Sequence, residues 1–225
     1  MLAAILTGLL SGVFYTGAQS VKVVPIILEA ETYEHAGAHS HEAATPAHEH
    51  SEDAWAPADG MERLFYSLLS NSIVGVAYAL LLMAAMLFSG QPVSLRAGIL
   101  WGIAGFAVFV LAPGLGLPPE VPGTVAAPVP IRQAWWFATV ILTAGGLALL
   151  ASQTRWFLLV AGVVMIAAPH IYGAPEPVHH ASLAPANLAA EFVVAAIVTA
   201  GLFWIFLGGV LGWMLERLAL DQETS

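Results

Sequence analysis

The eight histidines of this chain lie in two polar stretches, each beside an apolar run. The first stretch contains His35, His39, His41, His48 and His50, and the second contains His170, His179 and His180. Imidazole is the commonest side-chain ligand of transition metals. Two such groups beside apolar segments predict that a metal ion is captured at one surface of a membrane protein.

Acidic side chains surround the first histidine group. Seven acids lie between Glu29 and Asp53, and no Lys or Arg lies among them. Carboxylates add oxygen ligands and lower the local potential for cations. The Ala, Gly, Ser, Thr and Pro residues around them predict a flexible arm that collects an ion and releases it easily. The alternative is a solvated loop whose histidines bind nothing specific.

The second group begins where an apolar run ends, in the string Ala168-Pro-His-Ile-Tyr-Gly-Ala-Pro175. Pro169 should loosen the helix and free a backbone carbonyl. A histidine at the depth of a membrane span should face protein or water rather than lipid. His170 is therefore either the first ordered metal ligand below the loop or an interfacial hydrogen-bonding residue.

Further acids near the membrane boundary are candidates with simpler alternatives. Asp59 and Glu62 precede the second apolar run, where they serve as a turn and a first helical turn or, as a minority option, as metal ligands. Glu191 is expected inside the last run, either on an ion route or as the partner of Arg132 or Lys22. Glu29 and Glu31 are possible route residues or partners of Lys22.

The elements that must position these residues are transmembrane helices. The 225-residue chain is 59% hydrophobic and only 9% charged, whereas a soluble domain has about 25% charged residues. Apolar runs long enough to cross a bilayer predict an all-α, polytopic helix bundle of about six spans in one domain, 1–225. The runs cover 2–28, 64–88, 97–113, 133–151, 156–172 and 187–214.

Several local signals refine this arrangement. Pro25 should bend or end the first run, which lacks a basic leader region and is expected to remain as an uncleaved span. Residues 29–62 are then an external His/Glu-rich loop. The proline-rich stretch 113–130 should not be helical. Small residues four apart predict close helix contacts at three places, which are Gly8 with Gly12, Gly98 with Gly102, and Gly208 with Gly212.

Basic residues set the orientation. With six spans, Arg96, Arg155 and Arg217 share one side, which should be the cytoplasm. Residues 29–62, 114–132 and 173–186 then lie together outside, and both termini lie inside. Arg63 and Arg132 lie on the outer side, so the bias is modest.

Other functional classes find no support in the residues. The chain has no cysteine, which excludes disulfides and thiolate metal sites. No phosphate-binding loop, catalytic serine motif or zinc-protease motif is present, so no enzyme is expected. The formal net charge of −9 disfavours nucleic acid as a partner.

The chain resembles the CbtA family of proposed bacterial cobalt transporter subunits. The similar stretches run almost end to end, and besides 168–175 they are Val24-Pro-Ile-Ile-Leu-Glu-Ala-Glu31, Trp55-Ala-Pro-Ala-Asp-Gly60, Gly102-Ile-Ala-Gly-Phe-Ala-Val-Phe109, Leu111-Ala-Pro-Gly-Leu-Gly-Leu-Pro-Pro-Glu120 and Phe203-Trp-Ile-Phe-Leu-Gly-Gly209. The resemblance implies an inner-membrane protein, cobalt uptake linked to cobalamin synthesis, and a single-span partner subunit (CbtB) with its own histidines. The family-like candidate residues are Glu29, Glu31, Asp59, Glu62, Pro169 and His170. The family is commonly described with five spans, one fewer than the six apolar runs here.

Our hypothesis is uptake of a divalent transition metal as a transported substrate, with no permanently bound cofactor. Cobalt is favoured only by the resemblance, because nickel and zinc suit the same ligands. One alternative is a non-transporting, metal-binding accessory protein that loads or regulates a partner transporter. Another is a membrane haem protein or enzyme that uses His170, although the other histidines are expected in loops rather than facing it inside the bundle.

Overall fold

A computed structural model describes residues 1–40, 57–152, 155–179 and 181–223, without the side chains of 35, 37–40, 152 and 221–223. Its helices are α1 (Leu2–Ser40), α2 (Met61–Phe88), α3 (Leu95–Phe106), α4 (Ala112–Gly116), α5 (Val129–Ser152), α6 (Trp156–Tyr172) and α7 (Ala186–Glu223). A π-helical turn, Ala107–Leu111, joins α3 to α4. In these ranges there is no named strand, and one isolated antiparallel bridge pairs Thr124 with Ser182.

Five helical segments are long and apolar enough to cross a membrane, and one of them is the continuous stretch Leu95–Gly116. The sixth apolar helix, α6, is shorter, with 17 residues. A helix of that length is near the lower limit for a span. The predicted all-α bundle of about six spans is therefore confirmed.

The first helix continues where the sequence predicted its end. We expected the run to finish near residue 28 and a loop to begin at 29, but α1 continues through Pro25 to Ser40. A proline inside a helix removes one backbone hydrogen bond. The turns around it are stabilised by packing, because Val23, Ile26 and Ala30 are buried in a cluster with Leu188 and Phe192.

The expectation for the proline-rich stretch was wrong at both of its ends. Pro113 lies in the first turn of α4, and Pro130 lies in the first turn of α5. Proline is tolerated there because the first turn of a helix does not need the missing N–H. Residues 117–128 between these helices are not helical, as predicted.

Helix pairs are joined by close glycine contacts. A Cβ added at Gly208 would lie 2.8 Å from the Gly102 Cα, and one at Gly98 would lie 2.7 Å from the Gly212 Cα. Gly12 approaches α2 in the same way, since its added Cβ would lie 2.7 Å from the Ser72 backbone nitrogen. The predicted glycine contacts are therefore confirmed, and they join α3 to α7 and α1 to α2.

The up-and-down course of the chain gives the bundle two different ends. At one of them, which we call the polar end, the helices α1, α4 and α6 terminate and the helices α2, α5 and α7 begin. A buried cluster at this end joins α1 and α7 through Val121 and Ala184 of the intervening loops. A second buried cluster, centred on Trp204, Leu207 and Leu211 of α7, packs α7 against α1, α2 and the α3 segment.

Candidate functional site

The histidine-bearing segments that the structure describes lie at the polar end. His35 and His39 belong to the last turns of α1, His170 to the last turn of α6, and His179 to the loop that follows α6. His41, His48, His50 and His180 lie outside the described residues. The prediction that the histidines gather at one surface therefore agrees with the chain path of the four that are described.

Contacts between loops bring the two histidine-bearing segments close to each other. A Cβ added at Gly123 would lie 3.6 Å from the Glu34 Cβ, one residue before His35. The Leu183 amide donates to the Gly123 carbonyl at 3.4 Å, and the Val125 amide donates to the Ala181 carbonyl at 2.9 Å. The 117–128 loop thus lies between the end of α1 and the loop that contains His179.

His170 is half-buried and held by a tryptophan of α5. The rings of Trp135 and His170 meet edge to face, with centroids 6.0 Å apart and planes at 74°. Trp135 is only 6% exposed, and its indole Nε1 donates to the Pro169 carbonyl at 3.3 Å. The Gly173 amide donates to the same carbonyl at 3.1 Å. Pro169 therefore lies in an ordered helix end, and His170 has a defined position.

The space for Trp135 depends on a glycine. A Cβ added at Gly116, the last residue of α4, would lie 2.7 Å from the Trp135 Cζ2 atom and 3.0 Å from the Ala174 Cβ. The end of α4, the first turns of α5 and the end of α6 thus meet around one indole ring. The sequence analysis did not identify Trp135, because nothing in its spacing links it to residue 170.

Arg63 organises the acids where α1 approaches the start of α2. Its guanidinium donates to both carboxylate oxygens of Glu31 at 3.0 and 3.1 Å, and its Nε lies 3.0 Å from Asp59. The Glu62 carboxylate accepts from the Ala58 amide at 3.2 Å. These contacts favour the interpretation of Asp59 and Glu62 as a structured helix start, and Glu31 pairs with Arg63 rather than Lys22.

Glu191 forms an ion pair instead of facing the interior of the bundle. Its carboxylate lies 3.0 Å from the Lys22 Nζ, and the two side chains are 52% and 68% exposed. Glu191 lies within the candidate span Ala186–Leu220, as expected, and of its two expected partners the structure shows Lys22. Arg132, the other expected partner, pairs with Glu120 at 3.1 Å. Glu29 is exposed on α1.

A polar network that the sequence analysis did not assemble lies between α1 and α2. The Asn71 amide donates to the Thr16 hydroxyl at 3.0 Å and to the Gln19 side-chain oxygen at 2.8 Å. Above it, towards the polar end, the two helices separate around a cavity of about 370 Å³. The signal in the sequence is three polar residues within apolar runs, and nothing in their spacing links them to one another.

Within the described ranges, no three His, Asp or Glu side chains group closely enough to hold a metal ion. The candidate ligands in these ranges have different partners. His170 contacts Trp135, Asp59 and Glu31 pair with Arg63, and Glu191 pairs with Lys22. Four of the proposed histidine ligands lie outside those ranges. A site built on the loop histidines remains a prediction.

Comparison with known proteins gives one family. A family model described as "Probable cobalt transporter subunit (CbtA)" matches residues 1–216. No curated protein and no solved structure matches the chain. The match covers nearly the whole chain, so the resemblance stated from the sequence is confirmed. Together with the apolar helices, it indicates a multi-pass membrane protein that is a subunit of a metal transporter.

Proposed function

This chain belongs to the CbtA family, and we propose that it takes up a divalent transition metal, with cobalt as the physiological ion. The histidines and acids near the polar end collect the ion as a substrate. The helices then provide its route across the bilayer. The polar end faces outside the cell, which is the periplasm of a bacterium with an inner membrane, and Arg96, Arg155 and Arg217 lie at the cytoplasmic end.

The observation that supports this proposal most is the proximity of the two histidine-bearing segments. Glu34 of α1 lies against the 117–128 loop, which pairs with the loop containing His179. His35 and His39 are four residues apart in a helix, a spacing at which two imidazoles can share one metal ion. On this basis, we place ligands from both segments on one ion.

Ligand chemistry supports a transition metal but does not distinguish cobalt from its neighbours. Imidazole with carboxylate also suits nickel and zinc, and zinc binds such ligands at least as tightly as cobalt. The family description is the only observation that favours cobalt. Selectivity would then depend on the availability of the metal and on the geometry of the site.

We assign the individual residues as follows. His35, His39, His41, His48, His50, His179 and His180 collect the ion, and His170 receives it at a fixed position. Asp59 and Glu62 guide it along the start of α2, with Glu29 and Glu31 beside them on α1. Glu191 pairs with Lys22 near the same end, and we keep it as a further point on the route.

A second subunit completes the transporter. The family description calls its members subunits, and we propose a small single-span partner of the CbtB kind. Without that partner, this chain would bind metal but transport little. The non-transporting accessory protein, which loads or regulates another transporter, is the competing interpretation. It predicts that this chain binds cobalt but never forms the route itself.

Cobalt accumulation in cells tests the proposal. Three variants are compared with the native chain: His170→Ala, all five histidines between 35 and 50 changed to Asn, and Tyr172→Ala as a control. Tyr172 lies in the same turn of α6 and is 88% exposed, so its loss should leave uptake unchanged. We expect a clear loss of uptake for the Asn variant and for His170→Ala at equal membrane expression.

Unchanged uptake in both histidine variants would refute the proposed mechanism. Proteoliposomes separate it from the accessory interpretation. Native chain with its partner subunit should move ⁵⁷Co²⁺ across the bilayer, and the same partner with the Asn variant should move less. Tight cobalt binding with no transport under any of these conditions would favour the accessory protein.

A further inference from the structure

The interface between α1 and α2 has a closed half and an open half. In the closed half, Gly8 and Gly12 of α1 contact the backbone of α2, and no side chain fits between the helices. Towards the polar end the helices diverge around the cavity of about 370 Å³. This cleft extends along α1 from Thr16 to Leu28, which is about 18 Å at the rise of an α-helix.

The polar groups of the cleft lie at its two ends. Asp59, whose side chain is 72% exposed, and Arg63 form the mouth. The floor is the network in which Asn71 binds Thr16 and Gln19. The walls between them are mainly apolar, with Val24, Leu28, Met61 and Leu64, and include the hydroxyls of Ser20 and Ser67.

The position of the cleft favours water over lipid inside it. With 39 residues, α1 is about 58 Å long, roughly twice the ~30 Å hydrocarbon core. Lys22, which is 68% exposed and pairs with Glu191, lies on α1 between the cleft residues Ser20 and Val24, and we infer that the hydrocarbon core ends near this level. Ser20 is exposed there, and Gln19 is half-buried. Polar side chains at such depth face protein or a water-filled cavity, because contact with lipid is costly.

We propose that the α1–α2 cleft is an aqueous vestibule that holds a hydrated divalent cation before it crosses the membrane. The inference rests on the proposed function, which supplies the cation. Two carboxylates, Asp59 and Glu31, share the single cation Arg63 at the mouth, so a net negative charge attracts the ion there. The Ser20 and Ser67 hydroxyls contact its water shell. Apolar walls without strong ligands leave the ion free to move on. The Asn71 network and the glycine contacts below it close the path.

Single cysteines test the vestibule directly, because the native chain has none. Ser67→Cys places a thiol in the cleft, and Leu69→Cys places one outside its lining, on an exposed apolar position of the same helix. In nanodiscs, where both membrane faces are accessible, each is treated with a positively charged methanethiosulfonate. A charged reagent dissolves in water and not in hydrocarbon, so it reaches only thiols that meet water.

We therefore expect Ser67→Cys to react much faster than Leu69→Cys. Co²⁺ should slow the reaction at residue 67, and Asp59→Asn should reduce that protection. Gln91→Cys, at the exposed loop of the opposite end, controls for cobalt binding to any thiol and should show no protection.

Two results would overturn the vestibule. Equal, slow labelling at residues 67 and 69 would mean that lipid or protein fills the cleft. Fast labelling at residue 67 with no more cobalt protection than at residue 91 would mean that water enters without the cation. Neither result depends on uptake in cells. A failed uptake experiment with successful cobalt protection would instead reject the proposed function and leave the cleft as a cation site.

Discussion

The two ends of the helix bundle are held together by different interactions. At the polar end, charged side chains join helices to one another and to the loops between them: Lys22 to Glu191, Arg63 to Glu31 and Asp59, and Arg132 to Glu120. Towards the opposite end, glycines bring the backbones of α3 and α7 into contact. The same helix, α1, takes part in both, through Gly8 and Gly12 near its start and Lys22 and Glu31 further along.

This difference separates backbone packing towards one end of the bundle from ion pairs at the other. In lipid there is little hydrophobic force between helices, so close packing of small residues must hold them. Such contacts have no alternative arrangement, because any added atom collides. Ion pairs at a wet surface contribute little energy and can exchange partners. The end that should meet an incoming cation is thus the end that can rearrange at low cost.

The largest effect should come from filling a glycine contact. Gly208→Val would force its side chain against the Gly102 backbone and separate α3 from α7. We expect a loss of about 3 kcal/mol or more in the free energy of unfolding, since overpacking typically costs 1–3 kcal/mol and backbone cannot move aside. Thermal unfolding in detergent measures this. Gly17→Ala is the control, because nothing lies within 4 Å of its added Cβ.

A smaller loss should follow Arg63→Met, which removes the charge that joins α1 to α2 at the polar end. The guanidinium makes two hydrogen bonds to Glu31, and the two side chains are 29% and 25% exposed. We expect a cost of about 1–2 kcal/mol, between that of an exposed and a buried pair. Chemical denaturation in detergent checks it. A loss as large as that of Gly208→Val would contradict the division between the two ends.

Trp135→Phe should cost about 1 kcal/mol, because it removes one neutral hydrogen bond and some packing. The Pro169 carbonyl keeps its bond from the Gly173 amide, so no buried acceptor is left unpaired. The end of α6 should become more accessible while the rest of the bundle stays unchanged. Hydrogen exchange of α6 measures this, and increased exchange throughout α3 and α7 would show that Trp135 supports the whole fold.

The smallest effect should come from Lys22→Met. Both side chains of the Lys22–Glu191 pair are more than half exposed, so we expect a change of at most about 0.5 kcal/mol. Added salt should reduce even that difference, because mobile ions screen an exposed pair. Unfolding curves of the native chain and the variant at low and high salt give the answer. A large cost that salt does not change would show that the pair is shielded from water.

Much of the fold was predictable because the bilayer simplifies the problem. The apolar runs gave the helices and their approximate number, and glycines four apart identified the surfaces at which helices meet. The errors occurred where tertiary contacts outweigh local rules. Pro25 did not end α1, since the turns around it pack against α7 and the loops. The partner of Glu191 was left open between Arg132 and Lys22, and the structure shows Lys22, which lies 169 positions earlier in the chain.

The candidate site was only partly predictable, for a related reason. The histidines and acids could be named from their types, and the up-and-down path of the chain placed the described ones at one end. The sequence did not indicate that Arg63 would hold Glu31 and Asp59, or that Trp135 would lie against His170. The Asn71 network was also missed, because its members belong to different helices.

By itself, the sequence determined that this chain crosses a membrane several times and that its imidazoles lie beside the ends of apolar runs. The thickness of the hydrocarbon core sets the length that each span needs, independently of the other spans. The length and composition of each apolar run therefore suffice for these conclusions. Only the tertiary structure decided which helices touch, which acids are neutralised by Lys22 and Arg63, and where α1 and α2 separate. These features depend on distances between residues far apart in the chain, and such distances are set by the packing of the whole bundle.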